Sequence, residues 1–141
     1  PQARGLWIGM TQATNRNHLT RSVLEGIAYS VRDLSDTIVT DSGIPLKELK
    51  IDGGVSKNTF LQNYQSTVLG LPVLRPKNTE TTATGAACLA GLAVGFWKDR
   101  SELRGLWEMD RYVYRQKEAE VERQYANWKK AVTRSLDWVY D

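Results

Sequence analysis

The sequence has one cysteine and one histidine in 141 residues, and each scarcity excludes a class of protein. Because Cys88 is alone, no disulfide can form within the chain, and we expect a reducing, cytoplasmic setting rather than secretion. His18 has no cysteine or second histidine near it, so we predict no metal site and interpret it as a residue at a helix start or on a helix surface. No combination of serine, histidine and aspartate points to a hydrolase.

Long apolar runs and clusters of one charge are also missing. No segment approaches the roughly 18 apolar residues of a membrane-spanning helix, and the beginning of the chain has no basic-then-apolar secretory pattern. Lys and Arg number 19 against 16 Asp and Glu, a formal net charge of +3, and the basic residues are scattered. A stripe that binds nucleic acid is therefore not expected.

What remains is the composition of a soluble globular protein, 41% hydrophobic and 25% charged. A domain of about this length buries roughly 70% of the surface of its unfolded chain, so a core is expected without disulfides or metals. The chain starts at Pro1, with scarcely any residues before the first patterned segment. We therefore expect a fragment of a longer protein.

The pattern of apolar residues predicts strands that alternate with helices. Strands are predicted at residues 5–10, 49–52 and 71–74, and helices at residues 17–43, 60–70 and 80–95 and from about residue 117 to near 139. This order is typical of an α/β fold with a sheet covered by helices. The helix at 80–95 is rich in alanine and glycine, which predicts close packing against another helix or a ligand. Trp128 and Trp138 are interpreted as packing residues of the last helix.

Two consecutive glycines follow the second predicted strand, in the stretch IDGGVSKNTFLQ at residues 51–62. Gly53 and Gly54 have no Cβ, so they can adopt unusual backbone angles and let a flat ligand lie against the chain. The next helix directs free N–H groups and partial positive charge towards the turn. Asn58 offers a donor and an acceptor that suit a purine edge or a ribose. A nucleotide is the ligand that this arrangement favours.

The same residues are compatible with a purely structural turn. Two glycines after a strand often make only a tight turn, and Ser56 is then the cap of the following helix. The motif matches neither G-x-G-x-x-G nor G-x-x-x-x-G-K-[ST], so dinucleotide folds and Walker-type phosphate loops are not supported. Thr81, Thr82 and Thr84 can touch a ligand, although threonines at a helix start are more often caps.

Four segments resemble, in this order and at these separations, the C-terminal part of the glycerol kinases in the FGGY carbohydrate kinase family: ARGLWIGMT, SGIPLKELKIDGGVSKNTFLQ, ETTATGAACLAGLAVGFWKD and WKKAV. The resemblance covers nearly all of the chain. It implies that residues 1–141 are the C-terminal portion of the nucleotide-binding second domain in the actin and hexokinase-like (ribonuclease H-like) ATPase fold, a mixed sheet with flanking helices. Thr84 departs from the family's pattern, which commonly has leucine there.

The resemblance also implies roles for individual residues. The Asp-Gly-Gly turn matches the adenosine motif, in which Gly54 and Asn58 contact the adenine end of ATP and Gly53 supports the turn. The helix from Thr82 resembles the inter-domain connecting helix, which acts as a hinge. In the family, the phosphate loops, the polyol-binding residues, the catalytic aspartate and the Mg²⁺ site precede this segment. No residue of this chain, including Asp52, is therefore assigned as a catalytic base.

Two interpretations of function stay open. In the first, the intact protein phosphorylates glycerol with ATP and this chain supplies the adenosine-binding turn; xylulose or gluconate kinase is the alternative within the family, because the polyol pocket lies outside the segment. In the second, the chain is a non-catalytic α/β interaction module whose glycine turn binds nothing. The few predicted strands leave bare a sheet edge that the missing residues are expected to cover, so we expect the chain alone to self-associate. A homo-oligomer is also expected for the intact protein. The chain by itself is expected to be inactive.

Overall fold

The computed structural model describes residues 2–116 and 118–139. Its elements, in chain order, are α1 (Arg16–Ser42), β1 (Leu49–Lys50), a 3₁₀ turn (Gly54–Lys57), α2 (Thr59–Leu69), β2 (Val73–Pro76), α3 (Thr81–Ala93), a second 3₁₀ turn (Arg104–Leu106), β3 (Met109–Val113) and α4 (Ala119–Ser135). The three strands form one mixed sheet in the order β1-β2-β3. The predicted α/β class with flanking helices is therefore confirmed.

Helix α1 has well-defined signals at both ends. The side chain of Asn15 accepts hydrogen bonds from the N–H groups of Asn17 and His18, and the His18 Nδ1 accepts from the Asn15 N–H at 3.3 Å. This reciprocal pair satisfies N–H groups that a helix start otherwise leaves free. The helix ends at Gly43, which has φ +67° and donates its N–H to the Val39 carbonyl. His18 thus lies at a helix start, as predicted.

The sheet is built around β2. Strand β1 runs parallel to β2, with Leu49 opposite Val73, and α2 makes the crossover between them. Strand β3 runs antiparallel on the other side of β2, with a register shift near Pro76. Strand β2 also lies two residues later than the predicted 71–74. The chain leaves Pro72 outside the strand, where its missing N–H costs no ladder bond.

The predicted strand at residues 5–10 is wrong. The segment has no strand partner among the described residues, and Trp7, Ile8 and Met10 are 56%, 59% and 61% exposed. It lies along α1 and α4 instead, since the Trp7 Nε1 donates to the Ser22 hydroxyl at 3.1 Å and the Arg4 N–H donates to the Ser135 carbonyl at 3.2 Å. An apolar segment without a neighbouring ladder cannot become a strand, whatever its composition.

Strand β3 is the element that the sequence pattern missed. Its sequence, MDRYV, carries charges on a short edge strand and has no clear alternation. Ion pairs with β2 and the residue after it fix its place: Arg75 pairs with Asp110, and Lys77 pairs with Glu108 at 2.5 Å. Cross-strand pairs of opposite charge stabilise such a ladder, and they become visible only when the partner strand is known.

The hydrophobic core lies between α1, α2 and α4. Its buried members share one closely packed cluster and are Ala28, Tyr29, Leu61, Val68, Val121 and Tyr125, with Tyr64 and Trp128 packed against them. The rings of Tyr125 and Trp128 stack at 5.8 Å, which confirms Trp128 as a packing residue. The hydroxyls of Tyr29 and Tyr64 lie 2.5 Å apart, and both lie within hydrogen-bond distance of the Gln124 Oε1, so one hydroxyl donates to the other and the second donates to Gln124. The polar ends of these aromatic side chains are thus satisfied inside the core.

The structure corrects two predictions about the last part of the chain, and a third prediction falls on a residue that it does not describe. Helix α4 ends at Ser135, short of residue 139, and Trp138 is 67% exposed rather than packed. The chain leaves the helical path at Leu136, which has ψ 152°, and Asp137 after it has φ +53°. The predicted helix start near residue 117 falls on a residue outside the described ranges.

Helix α3 differs from the other helices because none of its residues is buried. The close packing predicted from its alanines and glycines is therefore not found within the described residues, except at Gly91, where the ring of Trp97 lies so close that a Cβ would collide with it. The predicted threonine cap is also wrong. The N-cap is Glu80, whose side chain makes no capping bond, and the Asn78 Oδ1 instead accepts from the Glu80 N–H at 2.9 Å.

Candidate functional site

The glycine turn, defined as Asp52, Gly53 and Gly54, joins β1 to the first 3₁₀ turn. Gly53 has φ +74° and ψ 177°, a combination that L side chains rarely adopt, so glycine is required there by the backbone. Gly54 is different: it is exposed, its φ is not positive, and a Cβ built on it meets no atom within 4 Å. The face of Gly54 is therefore open surface, where a flat group can approach the backbone.

Ser56 supports the turn from beneath. Its hydroxyl donates to the Gly53 carbonyl at 2.6 Å and its N–H donates to the same carbonyl at 3.2 Å. Its own carbonyl accepts from the Gln62 amide and, at 3.3 Å, from the Arg75 guanidinium. Ser56 is buried, so these bonds are shielded from water. Ser56 does not cap α2, and the interpretation of Ser56 as the helix cap is wrong.

Asn58 is the N-cap of α2. Its Oδ1 accepts from the Leu61 N–H at 3.0 Å, and its backbone N–H donates to the Val55 carbonyl at 3.0 Å. The residue is exposed, and its Nδ2 has no hydrogen-bond partner within the described part of the chain. Capping thus uses the acceptor of the amide and leaves its two N–H donors directed to solvent.

The glycine turn is also linked to the start of α3. The Gly53 N–H donates to the Thr79 carbonyl at 3.0 Å, and the Thr81 hydroxyl donates to the Asp52 carboxylate. Thr84 lies one turn further on; its hydroxyl accepts from the Asn78 amide at 2.7 Å. Sequence reasoning listed the threonines as caps or ligand contacts and missed the bond to Asp52, because its partners lie 29 positions apart.

The structure brings Gly53, Gly54 and Asn58 together on one short path from β1 to α2. Two cavities lie away from the glycine turn. One of about 760 Å³ lies between the first residues, α1 and α4, and one of about 400 Å³ lies beside α3 and is lined by Cys88 and Trp107. The glycine turn lines neither cavity. In residues 2–116 and 118–139, no three side chains of the metal-binding types come together.

The perturbed tyrosines belong to the core rather than to the glycine turn. Burial raises the pKa of Tyr125 from 10.0 to about 12, with the hydrogen bond to Asp33 adding to the effect. Burial also raises the pKa of Tyr29 and of Tyr64. Tyrosine hydroxyls are protonated at neutral pH in any case, so the raised pKa values extend this protonated state of the core to more alkaline pH.

Comparison with known proteins places the chain in a family. Residues 1–94 match the family described as "FGGY family of carbohydrate kinases, C-terminal domain". The chain belongs to the FGGY family of carbohydrate kinases. None of its helices, as far as the structure describes them, is long and apolar enough to cross a membrane.

The chain is similar in sequence to curated glycerol kinases. It is 51% identical over 140 residues to glycerol kinase from Pseudarthrobacter chlorophenolicus, which covers 99% of this chain and 28% of that protein. It is 53% identical over 138 residues to glycerol kinase from Renibacterium salmoninarum, covering 97% of this chain and 27% of that one. This FGGY chain therefore spans little more than a quarter of the length of these relatives.

Solved structures of FGGY kinases share its fold, which is of the actin and hexokinase-like type. A crystal structure of Plasmodium falciparum glycerol kinase with ADP superposes with a TM-score of 0.79 at 34% identity, covering 95% of this chain and 27% of that one. Xylulose kinase from Lactobacillus acidophilus gives a TM-score of 0.72 at 20% identity, over 94% of this chain and 26% of that one. The second likeness supports the fold alone.

Proposed function

We propose that the intact protein transfers the γ-phosphoryl group of ATP to glycerol, giving ADP and glycerol 3-phosphate. In this proposal residues 1–141 are the C-terminal portion of its nucleotide-binding domain. The observation that carries the proposal is the open face of Gly54 beside the free amide donors of Asn58. It occurs in a chain about half identical to glycerol kinases along almost its whole length.

The chain's own residues bind and orient the nucleotide. The bare backbone of Gly54 gives the adenine end a surface to lie on, and the Asn58 Nδ2 donates a hydrogen bond to a ring nitrogen or ribose oxygen. Gly53 and Ser56 hold the turn in shape through the backbone angle and the bonds already described. Because the turn is fixed before the ligand arrives, little ordering is needed on binding.

ATP supplies the phosphoryl group, and the remaining chemistry lies outside this chain. In-line transfer needs a group that orients the attacking hydroxyl and charges that neutralise the γ-phosphate. The described residues do not fit a magnesium site, since no cluster of carboxylates forms among them. In the proposal, Mg²⁺ and the catalytic base are therefore held by other parts of the protein.

Substitutions at Asn58 test the nucleotide site in the intact protein. Asn58→Ser and Asn58→Asp keep an oxygen that can cap α2 and remove the amide donor. We expect both to raise the KM for ATP about fivefold or more, as loss of one ligand hydrogen bond predicts, and to leave the KM for glycerol and the melting temperature nearly unchanged.

Asn63→Ala is the matched control, because its amide lies in the same helix and makes no described side-chain hydrogen bond. An unchanged KM for ATP in both Asn58 variants contradicts the assignment of this residue. Gly54→Val should raise the KM for ATP further, since a branched side chain covers the open face.

Substrate competition separates the proposal from its alternatives. We expect glycerol to support ADP release from Mg·ATP at a far higher kcat/KM than xylulose or gluconate. Preference for either sugar substrate would reassign the protein within the family, and absence of ATP binding in a calorimetric titration would favour the non-catalytic interaction module.

The 141-residue chain alone should release no ADP with glycerol and Mg·ATP above a no-enzyme control. It should also self-associate, because β1 and β3 are the outer strands of the described sheet and leave unpaired backbone groups. Light scattering after size exclusion measures this, and a strictly monomeric chain contradicts it.

A further inference from the structure

Helix α3 has an unusual attachment to the rest of the molecule. None of its 13 residues is buried, and Leu89 is 69% exposed. A helix without a buried face gains little from the hydrophobic effect, so its orientation depends on whatever polar contacts hold its ends.

Besides the bonds that Glu80 makes with Asn78 and Thr84, three hydrogen bonds hold the first turn of α3 and the residues before it. Two of them involve the residues just before the helix. The Gly53 N–H donates to the Thr79 carbonyl at 3.0 Å, and the Asn78 amide donates to the Thr84 hydroxyl at 2.7 Å. The third joins the Thr81 hydroxyl to the Asp52 carboxylate. Within the described residues, this third bond is the one that connects a side chain of the helix to the glycine turn.

We propose that Asp52 and Thr81 form a tether through which the glycine turn fixes the position of α3. Asp52 immediately precedes Gly53, and Gly53 requires a backbone angle that glycine alone adopts easily. The turn therefore fixes where the Asp52 carboxylate lies. The Thr81 hydroxyl donates to that carboxylate at the start of α3. Asp52 and Thr81 are positioning residues.

The tether also deepens the proposed function, on which this part rests. A nucleotide that lies against Gly54 adds contacts that stabilise the glycine turn against local opening, and the tether passes this stabilisation to α3. By linkage, any condition that fixes α3 should in turn strengthen nucleotide binding by the same factor. The glycine turn is then both a binding surface and the point that links the nucleotide to α3.

Amide hydrogen exchange of the intact protein tests the tether without any nucleotide. Thr81→Val keeps the shape of the side chain and removes the hydroxyl, and we expect about tenfold faster exchange at the hydrogen-bonded amides of α3 from Thr84 onward, as loss of one charge-assisted bond predicts. Thr81→Ser should restore the wild-type rate. Asp52→Ala removes the same bond from the other side, so it should match Thr81→Val and add nothing to it in the double variant.

Thr82→Val is the matched control, because Thr82 is exposed in the same turn and makes no described side-chain bond. Thr82→Val introduces the same valine into the helix, with the same restriction of rotamers. It should leave amide hydrogen exchange in α3 at the wild-type rate. Equal acceleration in Thr81→Val and Thr82→Val, or none in Thr81→Val and Asp52→Ala, overturns the tether.

Amide hydrogen exchange with saturating ATP tests whether the tether carries the effect of the nucleotide to α3. We expect ATP to slow exchange in α3 of the wild type, and this protection to disappear in Thr81→Val while the Kd for ATP changes less than about threefold. Protection of equal size in both proteins overturns the transmission. If the wild type binds no ATP, the proposed kinase function fails, whereas the nucleotide-free exchange still decides the tether.

Discussion

Helices α2 and α3 have similar lengths, 11 and 13 residues, and opposite relations to the rest of the chain. Six residues of α2 are buried, among them Leu61 and Val68, whereas α3 buries none. Both sequences form helices, but only α2 is placed by burial. Alanine-rich composition is thus sufficient to make α3 helical, and its location depends on contacts at its two ends.

The largest expected difference between the two regions is in the cost of removing a large side chain. Tyr125→Ala removes a 3% exposed ring from the core together with its hydrogen bond to Asp33, and should lower the free energy of unfolding by about 3 to 5 kcal/mol. Leu89→Ala in α3 should change it by less than about 0.5 kcal/mol. Urea titration of the 141-residue chain measures both, and similar losses would break the comparison.

A pair of glycines within α3 sharpens the comparison. Gly85→Ala places a Cβ in open space and should stabilise the chain by about 0.5 to 1 kcal/mol. Gly91→Ala forces the ring of Trp97 to move, so we expect it to lose this gain and to be at least about 1 kcal/mol less stable than Gly85→Ala. Tryptophan fluorescence should change in the Gly91 variant alone. Equal stability of Gly85→Ala and Gly91→Ala would contradict the close contact between Gly91 and the Trp97 ring.

Alkaline pH should weaken the core helices. The pKa of Tyr125 rises from 10.0 to about 12 on folding, and those of Tyr29 and Tyr64 are raised as well. Above pH 10 the unfolded chain loses these protons while the folded chain keeps them, so stability is full below about pH 10 and falls as pH rises towards 12. Tyr64→Phe should make this fall shallower. An identical pH dependence in that variant would contradict the assigned shift.

The smallest expected effect on stability is that of Ala87→Leu, on the exposed surface of α3. We expect less than about 0.5 kcal/mol, together with a lower turnover number for the proposed kinase activity of the intact protein, because the resemblance of α3 to the inter-domain connecting helix implies a contact with the other domain that the larger side chain would obstruct. Ala126→Leu, exposed on α4, is the control. Unchanged turnover in the Ala87 variant would count against an inter-domain contact there.

Local signals made much of the fold predictable. The apolar pattern predicts a helix at residues 17–43, and the structure has α1 at Arg16–Ser42, between the Asn15 cap and Gly43. The failures involve pairing at a distance. The segment 5–10 has strand-like composition without a ladder to join, whereas β3 is polar and is held by partners more than 30 positions earlier, such as Arg75 for Asp110.

The candidate site divides in the same way. Gly53 and Gly54 could be singled out because two glycines after a strand are visible in the sequence, and Asn58 because its amide has both a donor and an acceptor, whereas its role as the cap of α2 in place of Ser56 was not predicted. The sequence could not predict that the Asn58 Oδ1 caps α2 while its Nδ2 stays available, since this depends on which atom faces Leu61. The bond from Thr81 to Asp52 was not predictable either, because it requires the fold to bring two turns together.

The hydroxyl network of Tyr29, Tyr64 and Gln124 has a consequence for folding kinetics. Tyr29 and Tyr64 lie 35 positions apart, whereas Gln124 is 95 positions from Tyr29. Closing the shorter loop costs less chain entropy, so α1 and α2 should dock before α4 arrives. Gln124→Ala should therefore speed unfolding and leave the folding rate almost unchanged, whereas Val68→Ala, buried in α2, should slow folding as well.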